Sequence, residues 1–151
     1  MPQSLSKVFI HLVFSTKNRQ PFIDESIQTE LYPYMAKVLY DECSSPAKII
    51  GGVEDHAHIL LNLSRTIAIA DLVEIVKVQS SKWIKTKGSA YSKFHWQTGY
   101  GAFSVSTSGI DAVCQYILNQ KEHHGKRTLK DEFRVLLDKH EMEYDEKYVW
   151  D

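Results

Sequence analysis

Cysteine and proline are scarce in this chain, with two and four among 151 residues. Cys43 and Cys114 lie far apart in unlike surroundings, so two small buried thiols are expected rather than a disulfide or a metal pair. Seven glycines and four prolines also leave no room for a low-complexity linker. No apolar run approaches the roughly 20 residues a membrane span requires. The first residues, Met1 to Lys7, lack the charged start and apolar stretch of a secretion signal, so a cytoplasmic protein is expected. A formal net charge of −1 argues against indiscriminate binding of polyanions.

What is present is an ordinary globular balance, 43% hydrophobic and 25% charged, in a length that suits one domain over residues 1–151. The charge is unevenly spread. Arg65 to Lys93 carries six basic residues against two acidic ones, whereas Asp131 to Asp151 carries eight acidic against three basic. A basic middle can grip phosphates while an acidic tail conceals it in the sum. The tail over about 140–151 is expected to pack loosely.

Hydrophobic spacing orders the elements. Lys7 to Ser15 reads as a strand. Asp24 caps a helix with the apolar stripe Ile27, Leu31, Met35, Val38 and Leu39. Ala47 to Ile50 reads as a short strand ended by a turn or bulge at Gly51-Gly52. A strand follows through His56, and then a helix capped by Thr66 and ended by Lys87-Gly88. Phe94 to Ser106 reads as two short strands or a bulged hairpin. Ser108 to Asp111 has the form of a capping box opening a helix to about His123, with Gly125 as its stop. Thr128 opens a last helix with Phe133, Leu136 and Leu137 inward. The order β-α-β-β-α-β-α-α predicts an α+β, ferredoxin-like (split βαβ) antiparallel sheet, with helices on one face and a further C-terminal helix.

The chemistry centres on His56-Ala57-His58. Residues two apart on a strand share a face, so His56, His58, Leu60 and Asn62 face one way and Ala57, Ile59, Leu61 and Leu63 form the core side. Two imidazoles on an open strand face make half of a metal site. Asp55 and Glu54 are available to orient a ligand histidine or to form a strand-end contact. His11 and His95 read as hydrogen-bonded structural histidines. Tyr116 and Gln120, one helical turn apart, project together from a helix edge. His123 is a rival to Gln120 as a further ligand, and His124 stands beside it. The histidine pair by itself also suits a water-activating metal hydrolase, and the fold by itself suits a non-catalytic nucleic-acid-binding protein.

Taken in order, these pieces resemble a family. The opening strand His11-Leu12-Val13-Phe14-Ser15-Thr16-Lys17 with Arg19, the His56-Ala57-His58 strand, Ser80-Ser81-Lys82-Trp83, Trp96-Gln97 with Tyr100, and Tyr116-Ile117 to Gln120 are similar to the single-tyrosine HUH transposases of the insertion-sequence 200/605 type, and to domesticated relatives acting on repetitive palindromes. The resemblance implies His56, His58 and Gln120 as ligands of Mg²⁺ or Mn²⁺ and Tyr116 as nucleophile. It implies cleavage and rejoining of single-stranded DNA at hairpin-bearing ends through a 5′-phosphotyrosine. It also implies a homodimer that shares active sites between subunits. Lys17, Arg19, Lys77, Lys82, Lys85, Lys87 and Lys93 are the expected phosphate contacts, with Tyr91 or Trp96 as stacking platforms for unpaired bases.

Overall fold

The computed structural model describes residues 2–122 and 127–150. Four strands, β1 (Phe9–Ser15), β2 (Ala47–Val53), β3 (His56–Asn62) and β4 (Gly101–Val105), form one antiparallel sheet in the order β2-β3-β1-β4. Helix α1 (Glu25–Cys43) connects β1 to β2, and α2 (Ile69–Lys85) connects β3 to β4. Each crossover skips one strand, which is the split βαβ plan expected.

The pleat divides the core. Ile10, Leu12 and Phe14 of β1 and Ala57, Ile59 and Leu61 of β3 point to one face. There they bury the stripes of α1 (Ile27, Leu31, Met35, Leu39) and α2 (Leu72, Val73, Val76, Ile84). The opposite face holds His11, Val13, His58 and Leu60. It is not open as expected: α3 (Ile110–Leu118) and α4 (Leu129–Lys139) cover it. Leu60 packs with Ile110 and Ile117, and Val13 packs with Phe103, Leu129 and Leu137.

One row across the sheet explains how both helices come so near. Gly51, His58, Val13 and Gly101 are successive partners across the four strands. A Cβ on Gly51 would stand 2.7 Å from the carbonyl oxygen of Ile117 in α3, and one on Gly101 would stand 2.7 Å from the Phe133 ring of α4. The bare ends of this row let the two helices sit down on either side of His58.

Local readings were revised where tertiary pairing outweighed turn propensity. Gly51-Gly52 does not end β2, which runs on to Val53; the register shift lies instead between Ala47 and Ile49. Asp24 and Thr128 do cap their helices, accepting from the Ile27 and Asp131 amides. Ala68, not Thr66, precedes α2, without a side-chain cap. Ser108 forms no box; its hydroxyl meets that of Ser106. Only β4 forms in the stretch after Phe94, together with a single bridge between Thr16 and Trp96. The helix expected to reach His123 breaks at Asn119 and resumes over 120–122. His123, His124 and Gly125 lie outside the described residues. The tail is tied back to α4 rather than loose. Tyr144 and Val149 pack beside Phe133, and Glu146 accepts from Arg134 Nε at 2.9 Å. Among the described residues, no helix is long and apolar enough to cross a membrane.

Candidate active site

His56 and His58 are fully buried at the end of β3 nearest the Glu54-Asp55 turn. Each ring has its Nδ1 engaged by a neighbour. His56 Nδ1 is 2.7 Å from Asp55 Oδ1, and His58 Nδ1 is 2.8 Å from His11 Nε2. A carboxylate at His56 Nδ1 fixes the proton there and leaves Nε2 as the atom facing inward. His11 serves as a hydrogen-bonded structural histidine and also as the group that orients His58.

Both inward nitrogens face a residue that the sequence reading passed over. Glu132, on the first turn of α4, is 4% exposed. Its Oε2 lies 3.5 Å from His56 Nε2 and its Oε1 lies 3.5 Å from His58 Nε2. Glu132 was missed because Asp131-Glu132 reads as an acidic first turn complementing the helix dipole. The available signal was its position one residue before the inward-facing Phe133 and four before Leu136. That spacing puts it beside the buried stripe.

Tyr116 and Gln120 converge on the same carboxylate. The Tyr116 hydroxyl donates to Glu132 Oε1. Gln120 Nε2 donates to Glu132 Oε1 at 2.8 Å, while its Oε1 lies 3.1 Å from His56 Nε2. The Tyr116 ring also meets the rings of His58 and His11 edge-on, at centroid distances of 5.6 and 6.0 Å. Tyr116 therefore stands beside the histidine pair of its own chain.

The charges follow from these contacts. Burial would lower the pKa of His56, but the hydrogen bond to Asp55 and the nearby Glu132 carboxylate outweigh it and raise it to about 9. Burial holds His58 well below the usual imidazole range, and nearby His56 adds to this. Burial lowers His11 to about 4. Burial would raise Glu132, yet the protonated His56 facing it and the hydrogen bond from Tyr116 bring it down to about 2. Burial and the Glu132 bond push the Tyr116 phenol far above its usual range. Without a cation the site thus holds an ionised carboxylate, a protonated His56 and a protonated tyrosine.

The donor set fits a divalent cation. His56, His58 and Glu132 offer ligand atoms that all lie within 4.8 Å of one another. His58 Nε2 and Glu132 Oε2 are buried and meet no hydrogen-bonding partner among the described residues. Such orphaned polar atoms are costly unless something fills the space between them.

The family model for IS200-like transposases matches residues 4–120. This chain belongs to that family. Two solved structures share the fold of this IS200-like transposase. One is a Deinococcus radiodurans protein described as a candidate transposase. It is 21% identical, with a TM-score of 0.61 over 78% of this chain and 93% of that one. The other is a REP-associated tyrosine transposase bound to a REP hairpin. It is 12% identical, with a TM-score of 0.61 over 82% of this chain and 72% of that one. No curated protein matches this chain at the sequence level.

The expected DNA contacts divide between two faces. Lys17 and Arg19 are exposed just beyond the end of β1 where Ser15 pairs with His56. Lys77, Lys82 and Lys85 belong to α2, on the face away from the histidines, with Lys87 and Lys93 exposed in the segment after it. Lys77 donates to the carbonyls of Gln97 at 2.8 Å and Gly99 at 2.6 Å, and lies over the Phe14 ring. Lys87 lies over the Trp83 ring. Trp96 is a core residue, its indole N–H donating to Ser80, and the Tyr91 hydroxyl donates to Asp24.

Proposed function

We propose that this transposase cleaves and rejoins single-stranded DNA at hairpin-bearing element ends, using Tyr116 as nucleophile. The observation that carries the reading is the bond from the Tyr116 hydroxyl to Glu132, a carboxylate that also belongs to the His56–His58 donor cluster. A divalent ion held by His56, His58, Glu132 and Gln120 would act as a Lewis acid on the scissile phosphate, and the mix of imidazole and hard oxygen donors suits Mg²⁺ or Mn²⁺.

The residues themselves supply positioning and a proton site. Asp55 and His11 set the rings of His56 and His58. Glu132 Oε1 holds the phenolic proton. The tyrosine oxygen bonds to phosphorus as the bond to the 3′ oxygen breaks, leaving a 5′-phosphotyrosine and a free 3′-hydroxyl. The link preserves a phosphodiester, so rejoining needs no added energy source. Lys17 and Arg19 take phosphates at the β1 end of the site. A homodimer is part of the proposal; in place of the expected sharing of active sites between subunits, each Tyr116 would work against its own histidine pair, beside which it stands. A domesticated relative that processes repetitive palindromes would use the same residues, and hairpins flanking the gene at both ends mark the mobile form.

The test is a denaturing gel after incubation with labelled hairpin-bearing single strands and Mn²⁺. A protein–DNA adduct is expected, absent in Tyr116→Phe and His56→Ala. Cleavage without an adduct would point instead to a water-activating hydrolase, and no cleavage at all to a binding protein.

A further inference from the structure

The lysines of α2 lie on the face of the sheet opposite Tyr116, and Lys17 and Arg19 lie at the β1 end of the site. His56, His58, Gln120 and Glu132 are all at most 4% exposed, whereas Tyr116 is only half-buried. Tyr116 lines a cleft of about 440 Å³ between the β4–α3 connection and α4, with Glu132 and His11 also in its wall. This volume falls within the range of ligand-binding clefts. The same wall carries Arg127, Lys139 and His140, and among the described residues its one carboxylate is Glu132, already engaged by Tyr116 and Gln120.

Arg127 and Lys139 differ from many of the other cations. Lys87 pairs with Glu30, Lys121 with Glu25, and Arg134 with Asp131 and Glu146. Neither Arg127 nor Lys139 forms an ion pair among the described residues, and both are exposed at the cleft. On that side of the wall the His140 ring meets Phe103 at a tilt, with centroids 4.8 Å apart.

We propose that this cleft is the channel for the DNA backbone around the scissile phosphate, with Arg127 and Lys139 binding the phosphates on either side. The proposal rests on Tyr116 being the nucleophile. It assigns the entry path to the α3–α4 side of the sheet and leaves α2 outside the contact.

The test is equilibrium binding of a labelled hairpin-bearing single strand in EDTA, where no cleavage intervenes, across a series of salt concentrations. Each phosphate contact on a single strand contributes roughly 0.7 to the slope of log K against log salt. The Arg127→Ala/Lys139→Ala double variant is expected to lose about 1.4 from that slope, two such contacts. Arg127→Lys/Lys139→Arg should keep it, and Lys82→Ala/Lys85→Ala should leave it unchanged. An unchanged slope in the first variant, a loss carried by the α2 pair, or salt-independent binding by the wild type overturns the channel. Adduct formation by the wild type in Mn²⁺ is scored separately. An adduct with an unaltered slope overturns the channel and keeps the nucleophile; an altered slope without an adduct does the reverse.

Discussion

The Tyr116 hydroxyl donates to the carboxylate of Glu132, sixteen residues further along the chain and in the next helix. The same carboxylate faces the inward nitrogens of both histidines. Replacing it by Gln keeps the volume and removes the charge. Glu132→Gln is expected to abolish most of the rise in melting temperature that Mn²⁺ gives the wild type. It should also reduce adduct formation by at least about tenfold, the equivalent of 1.4 kcal/mol. An E132Q protein stabilised by Mn²⁺ as much as the wild type would remove Glu132 from the donor set.

Metal affinity should depend steeply on pH. His56 titrates near 9 in the cation-free protein, so at neutral pH binding must expel its proton. Affinity is then expected to rise by up to tenfold per pH unit from 7 toward 9 and to level off above. Asp55→Asn removes the carboxylate that raises His56, which lowers that pKa and flattens the dependence in this window. The same change loosens the ring, at a cost of roughly 10–100-fold in affinity. Free Mn²⁺ followed by electron paramagnetic resonance during titration at several pH values reads both effects.

Gly51→Ala tests the seating of α3. The added methyl would meet the Ile117 carbonyl oxygen at 2.7 Å, a backbone atom that can yield only if the helix moves. Overpacking of this kind costs about 1–3 kcal/mol. Tyr116 is one residue from the contact, and a displacement near 1 Å is enough to slow a reaction on the order of 100-fold. A folded G51A protein, checked by thermal melting, should therefore form adduct slowly. Wild-type rates would show that the close approach does not set the position of the tyrosine.

Lys77→Met should behave as a stability variant. Three carbonyls around the Gln97–Gly99 turn receive its ammonium, and their loss is expected to cost about 1–3 kcal/mol. DNA affinity and its salt dependence should stay at wild-type values once the protein is folded. A reduced salt slope in K77M would return α2 to the DNA-contacting surface.

Much of this arrangement was legible from spacing. The alternation in His56-Ala57-His58-Ile59-Leu60-Leu61 assigned each side chain its face, and the four-residue step from Tyr116 to Gln120 brought both side chains to one place, although the helix breaks at Asn119 between them. Sequence spacing is silent on how separate elements approach, and that is where the reading fell short. Gly51 looked like a chain reversal because glycine favours turns, while its actual use is to admit a neighbouring helix. Glu132 looked like a helix-dipole charge because nothing local distinguishes a solvated first-turn glutamate from one folded over a histidine pair. The lysines of α2, counted as one basic stretch, sit on the face of the sheet away from the histidines, because charge counts carry no direction. Part of the acidity counted against nucleic-acid binding is internal: Glu132 belongs to the site, and Glu146 and Asp131 neutralise Arg134.

The position of α4 has a consequence for dissecting this protein. The match to the family ends at residue 120, and the carboxylate that joins Tyr116 to His56 and His58 comes twelve residues later. A chain trimmed to the matched segment would keep both histidines, the tyrosine and the glutamine, and would still be recognised as an IS200-like transposase. It would lose the wall that shields them from water and the group that holds the phenolic proton. Recognisability and completeness thus part company in this molecule, and the segment that finishes the active site is the one its kinship does not record.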